Sequence, residues 1–138
     1  MLHLLENGLQ LFLNEAYLTA SIVGSSNDGP SKIIVPNSVV FNNQTYIITT
    51  ISSFSFKYNF ILDSLVFTED SKLQKIQKYA FSQSVVRRLI LPESLKEIED
   101  GWANESRLKT VIISPKNQYY EYINSCLLVE KETSTVIF

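Results

Sequence analysis

Apolar residues recur in spaced pairs along this chain. Leu65 and Phe67 flank Val66, Leu89 and Leu91 flank Ile90, and Val111 and Ile113 flank Ile112. Successive pairs are 24 and 22 residues apart. Leu62, Val86 and Leu108 precede the pairs at the same steps, while Leu73 and Ile76 align with Leu95 and Ile98 further on. An earlier copy reads KIIVPNSVVFNNQTYIITTISSFSF. There Ile33 and Val35 form the pair, Ile51 takes the place of Ile76 and Ile98, and an insert falls around Asn42–Thr45. Residues at i and i+2 point to one side of an extended strand, so each copy predicts a short strand with an inward-facing pair. One copy cannot bury that pair, but stacked copies share a core.

The register changes how individual stretches read. LILPESLKEIED, at Leu89–Asp100, looks in isolation like a helix beginning at Pro92. Aligned with its neighbours, it is one turn of a stack. Leu89 and Leu91 face inward, Pro92 ends the strand, and Leu95 and Ile98 return to the core.

A period of 20–29 residues with L-x-x-L-x-L spacing is that of leucine-rich repeats. Four stretches carry a closer likeness: Ile33-Ile34-Val35-Pro36-Asn37-Ser38-Val39, Leu89-Ile90-Leu91-Pro92-Glu93-Ser94-Leu95, Ile76-Gln77-Lys78-Tyr79-Ala80-Phe81 and Tyr46-Ile47-Ile48-Thr49-Thr50-Ile51. They resemble the BspA-like leucine-rich repeats over about Ser31–Phe138. Where that pattern has a glycine after its isoleucine, this chain has Ser52, Gln77 and Glu99; where it ends a repeat in cysteine, this chain has Asn59, Ser84 and Ser106. The Ala-Phe pair becomes Trp102-Ala103 in the third copy. The resemblance implies a repeat solenoid with little helix. It also implies adhesion to host proteins, host cells or other microbes, as in surface or secreted proteins of bacteria and some protozoan parasites.

The segment before the repeats differs. Leu9, Leu11 and Leu13 alternate with Gln10 and Phe12, and Asn14-Glu15 separates that run from Tyr17–Val23. This predicts a β-hairpin, placed to cap the apolar end of a solenoid. The expected organisation is a capping hairpin and turn over residues 1–30, then repeats over residues 31–138. The fold class is therefore mostly β, a short solenoid of about four degenerate repeats of 22–25 residues with an N-terminal hairpin cap.

Composition narrows the function. The 138 residues are 45% hydrophobic, enough for a core. A net charge of −2, with basic and acidic residues interleaved, argues against nucleic acid as a partner. No apolar run reaches the ~20 residues of a membrane span. The N-terminus lacks the basic start of a signal peptide. The expected location is cytoplasmic, with the cell surface as the alternative that the resemblance implies. The apolar end STVIF stops abruptly, as expected of a piece of something longer.

Chemistry-bearing constellations are sparse. His3 and Cys126 do not make a metal site, and Cys126 reads as a small buried apolar residue. Neither metal nor cofactor is expected. Glu69/Asp70, Glu97/Glu99 and Asp100 read as solvated carboxylates rather than an acid–base pair, so an enzyme is not expected. The feature that stands out is the residue inside each pair. Ile34, Val66, Ile90 and Ile112 should face outward and form an aliphatic ladder, with Arg88 and Lys109 or Thr110 as its polar rim. A contiguous apolar face suggests a protein partner. Trp102 has two readings: an indole filling the space that Phe56 and Phe81 fill in their copies, or an exposed anchor for a partner. The leading expectation is a protein-binding module for adhesion or host-protein interaction. The alternative is an intracellular scaffold using the same face for homo- or hetero-assembly. Val136-Ile137-Phe138 is expected to lie exposed at an open sheet edge that favours pairing.

Overall fold

The computed structural model describes residues 1–123 and 127–138. Among them every regular element is a strand. The chain opens with β1 (Leu2–Leu4), β2 (Leu9–Asn14) and β3 (Thr19–Ser25), followed by β4 (Lys32–Val35), β5 (Ser38–Phe41) and β6 (Gln44–Ile51). Then come β7 (Ser64–Phe67), β8 (Lys75–Ile76), β9 (Arg88–Leu91), β10 (Glu97–Ile98) and β11 (Thr110–Ile113). The chain closes with β12 (Tyr120–Ile123), β13 (Leu127–Glu130) and β14 (Thr135–Val136).

The coil alternates between two sheets. β4, β7, β9 and β11 lie side by side as a four-stranded parallel sheet. These strands hold the four inward pairs, and all eight pair residues are buried. The second sheet runs β1-β2-β3-β6-β8-β10, with β5 paired to β6. There Ile51, Ile76 and Ile98 fall in one row. A three-stranded antiparallel sheet, β12-β13-β14, closes the chain, and the three sheets turn apolar residues into one core cluster, which runs from Leu9 to Leu128. Local propensity for a helix after Pro92 loses to this burial: Glu97–Ile98 pair with β8 instead.

The N-terminal hairpin forms from β2 and β3, with Leu9, Leu11 and Leu13 buried. β3 then pairs in parallel with β6 and extends the second sheet past the first repeat. The insert expected at Asn42–Thr45 is the tip of the β5–β6 hairpin. Asn42 and Asn43 both have positive φ, 49° and 62°, as a two-residue turn of that hand requires.

One of the two readings of Trp102 and the expectation for the chain end need correction. Trp102 fills the space that Phe56 and Phe81 fill in their copies and is not a surface anchor: it is 3% exposed. Its indole packs edge-on against Phe81, and its Nε1–H donates to the Ile137 carbonyl at 3.2 Å. Ala103 is too small to fill the column, so the neighbouring side chain fills it. Nor does the last segment lie open. Ile137 and Phe138 are half-buried against the core, the Ile137 amide donates to Leu128 and the Leu128 amide to Phe138. Val136 alone of the three is largely exposed. Cys126, read as buried, lies outside the described residues.

Candidate partner-binding face

The outer side of the four-stranded sheet is built by strand alternation. Ile34 pairs with Val66, Val66 with Ile90, and Ile90 with Ile112. The ladder expected from the repeats is therefore a continuous row across four strands. Ile34 is 56% exposed and Ile112 37%, while Val66 and Ile90 are half-buried between them. In-register β-branched neighbours on one face also stabilise the sheet itself.

The two sides of the row differ in charge. Two residues earlier on each strand, Lys32, Ser64, Arg88 and Thr110 form a parallel row with its lysine and arginine exposed. Arg88 thus rims the ladder as expected. Lys109 is exposed but sits one residue outside β11, and Thr110 takes the row position. Arg87 beside it forms an exposed pair with Asp63, whose hydrogen bond raises the guanidinium pKa above its usual value. Such a pair is weak in water.

On the other side, past the strand ends, the row opens into a groove of about 570 Å³. Ile90, Pro92 and Ile112 line it together with Glu69, Asp70, Glu93 and Lys116. Asp70 is held in place: its carboxylate accepts from Thr68 Oγ1 at 2.6 Å and Asn37 Nδ2 at 2.9 Å. The repeat reading took Glu69 and Asp70 for ordinary solvated surface. The available signal was positional, since Glu69 and Glu93 each fall two residues after an inward pair. Among the described residues no cluster of three His, Cys, Asp or Glu is placed to hold a metal ion.

A family model for the BspA-type leucine-rich repeat region matches residues 32–134 in six copies. The chain belongs to that family. The BspA-type match extends past the four strands of the ladder sheet through β12 and β13. Among solved structures, a leucine-rich repeat protein from Bacteroides capillosus ATCC 29799 is similar at 18% identity and a TM-score of 0.51, covering 80% of this chain and 97% of that one. A leucine rich cell surface protein from Faecalibacterium prausnitzii A2-165 is similar at 14% identity and a TM-score of 0.45, covering 95% of this chain and 58% of that one. The first likeness shows the repeat fold. No curated protein matches the chain. No helix among the described residues is long and apolar enough to cross a membrane.

Proposed function

We propose that this BspA-type repeat chain is a protein-binding module that takes its partner on the ladder Ile34, Val66, Ile90 and Ile112 and in the adjoining groove. The observation that carries the reading is the outward aliphatic row in register across four strands, exposed at Ile34 and Ile112 and half-buried at Val66 and Ile90. Apolar surface in a contiguous patch is what a partner covers. Burying a fully exposed aliphatic side chain contributes about 1.5–3 kcal/mol, and each of these partly covered residues contributes a fraction of that, so several together matter. The charged margins supply orientation: lysine and arginine on one side, carboxylates on the other. Trp102 plays no direct part, and Lys109 only a peripheral one. The role is binding and not catalysis, and it calls for no cofactor.

Within that reading, adhesion to a host or partner protein is the leading role, supported by the family resemblance. Assembly inside the cell through the same aliphatic row is the second. Protease treatment of intact cells separates them, because a surface protein is cleaved and a cytoplasmic one is spared.

The direct test is Ile90→Lys with the full chain as bait. Ile90 is half-buried at the sheet surface, and a lysine there can extend its ammonium to water with the fold intact. The expected result is loss of partner capture and of any self-association, with an unchanged circular dichroism spectrum. Unchanged capture by a folded Ile90→Lys chain sinks the reading.

A further inference from the structure

A second surface lies on the turns that follow the strands of the longer sheet. Phe54, Tyr79 and Gly101 take the same place in three successive turns, 25 and 22 residues apart. The Phe54 amide donates to the Tyr79 carbonyl at 3.0 Å, and the Tyr79 amide donates to the Gly101 carbonyl at 3.1 Å. All three have positive φ, at 56°, 64° and 77°. Glycine adopts that conformation at no steric cost, whereas a bulky side chain resists it. Gly101 is the residue this turn prefers. The two rings are held there against the backbone, and Tyr58, at φ 66°, repeats the strain.

The rings form a platform. Phe54 and Tyr79 stack with centroids 5.3 Å apart and planes 28° from parallel. Phe54 is 43% exposed and Tyr58 65%. Lys57 Nζ lies 5.2 Å from the Phe54 centroid and 4.9 Å from that of Tyr58, and Lys78 Nζ lies 5.0 Å from the Tyr79 centroid. Among the described residues neither lysine forms an ion pair. The Glu99 carboxylate nearby accepts from the Lys78 backbone amide. The patch thus joins an aromatic surface to two ammonium groups that make no ion pair among the described residues, with the Glu99 carboxylate beside Lys78 as the nearby negative charge.

We propose that this platform is a second docking site, for an acidic peptide segment that carries aromatic or aliphatic side chains between its carboxylates. The apolar side chains lie on the Phe54–Tyr79 stack and beside Tyr58, and the carboxylates meet Lys57 and Lys78. Charge complementarity selects this occupant. A nucleic acid needs a broad basic face, and a chain of net charge −2 with two lysines at the patch does not provide one. The site uses none of the ladder residues and stands independently of the role given to them.

The test is fluorescence anisotropy of the full chain with a labelled synthetic peptide of alternating Glu and Phe. A Lys-Phe counterpart and an oligo-dT strand are run beside it. The informative variant is Phe54→Gly with Tyr79→Gly, because glycine suits both turns and the fold persists. The Glu-Phe peptide is expected to bind, more weakly at high salt, and the double variant to lose about tenfold or more in affinity. Lys57→Gln with Lys78→Gln should weaken binding without touching the turns, and Ile90→Lys should leave it unchanged. No binding of the Glu-Phe peptide overturns the proposal. So does equal binding by the lysine pair variant or the glycine pair variant, or equal binding of the Lys-Phe peptide or the oligo-dT strand.

Discussion

Asn117 is 1% exposed and uses both ends of its amide. Nδ2 donates toward the carbonyls of Pro92, Glu93 and Leu95, at 2.9–3.2 Å, and Oδ1 accepts from the amides of Tyr119 and Tyr120 at 2.8 and 2.9 Å. Asn59 does the same work at the other end. It donates to the Ser25 and Ser26 carbonyls and accepts from the Ile61 and Leu62 amides. It stands where the family pattern has a cysteine, and it ties the hairpin to the first repeat. Asn117→Ala strands several buried backbone groups, so a loss of about 2–4 kcal/mol in urea unfolding is expected. A loss below about 1 kcal/mol would mean that water replaces the amide. Tyr120 offers a pH test. Its ring is buried, and its hydroxyl accepts from the Ile98 amide at 2.7 Å, which closes the edge of β10. Burial raises the hydroxyl pKa above its usual value, and the Ile98 hydrogen bond partly opposes this. The unfolded chain therefore loses this proton first as pH rises. The contribution is whole below about pH 10 and declines above it through the raised folded value. Stability measured from pH 9 to 11 should fall less steeply in Tyr120→Phe than in the parent chain. Parallel slopes would contradict the assignment.

Stacking of whole turns shows most clearly in the aromatic column. Phe56 lies on Phe81 with centroids 5.1 Å apart, Phe81 meets Trp102 edge-on at 6.0 Å, and Trp102 meets Phe138 at 6.0 Å. Each ring comes from a different turn, so the column ties the last turn to the chain end. Trp102→Ala opens a cavity there and should cost about 3–5 kcal/mol in urea unfolding. Trp102→Phe keeps the contact and should cost clearly less. Equal costs would place the stability in the Nε1–H bond to Ile137 instead. The elements that carry the column were legible in the sequence because burial imposes a period. The four inward pairs, the Ile51–Ile76–Ile98 row and the β2–β3 hairpin all follow from apolar spacing. The outward row followed too, since strand alternation leaves Ile90 no other side. The docking of Ile137 and Phe138 was not legible, because it depends on β13 and β14 folding back where no repeat sets the register. The groove was hidden for a related reason: Glu69, Glu93 and Lys116 look like ordinary turn charges until adjacent turns are laid side by side. The Phe54–Tyr79 stack was hidden because positive φ leaves no mark in a hydropathy pattern.

A solenoid raises the question of how far its turns act as one. Nearest-neighbour stacking allows turns to unfold in succession, with stability summed turn by turn. Here one core cluster joins the hairpin leucines to the last turns, and the β3–β6 pairing makes the hairpin continuous with the repeats. That continuity favours a single transition across the expected boundary between residues 1–30 and 31–138. The chain holds one tryptophan, Trp102, packed against Phe138 in the last turns, so its fluorescence reports unfolding away from the hairpin. Leu11 is fully buried in β2. Leu11→Ala should cost about 2–5 kcal/mol where it stands. If the chain unfolds as one body, the Trp102 transition feels that whole cost. Its urea midpoint then falls by roughly 1–2.5 M with an unchanged slope, taking a slope of about 2 kcal/mol per M. If the hairpin melts separately, the Trp102 midpoint stays in place while circular dichroism shows an earlier step. The first outcome makes the hairpin part of the folding unit that holds the ladder in register. The second makes it a detachable cap, and the binding face would then survive its loss.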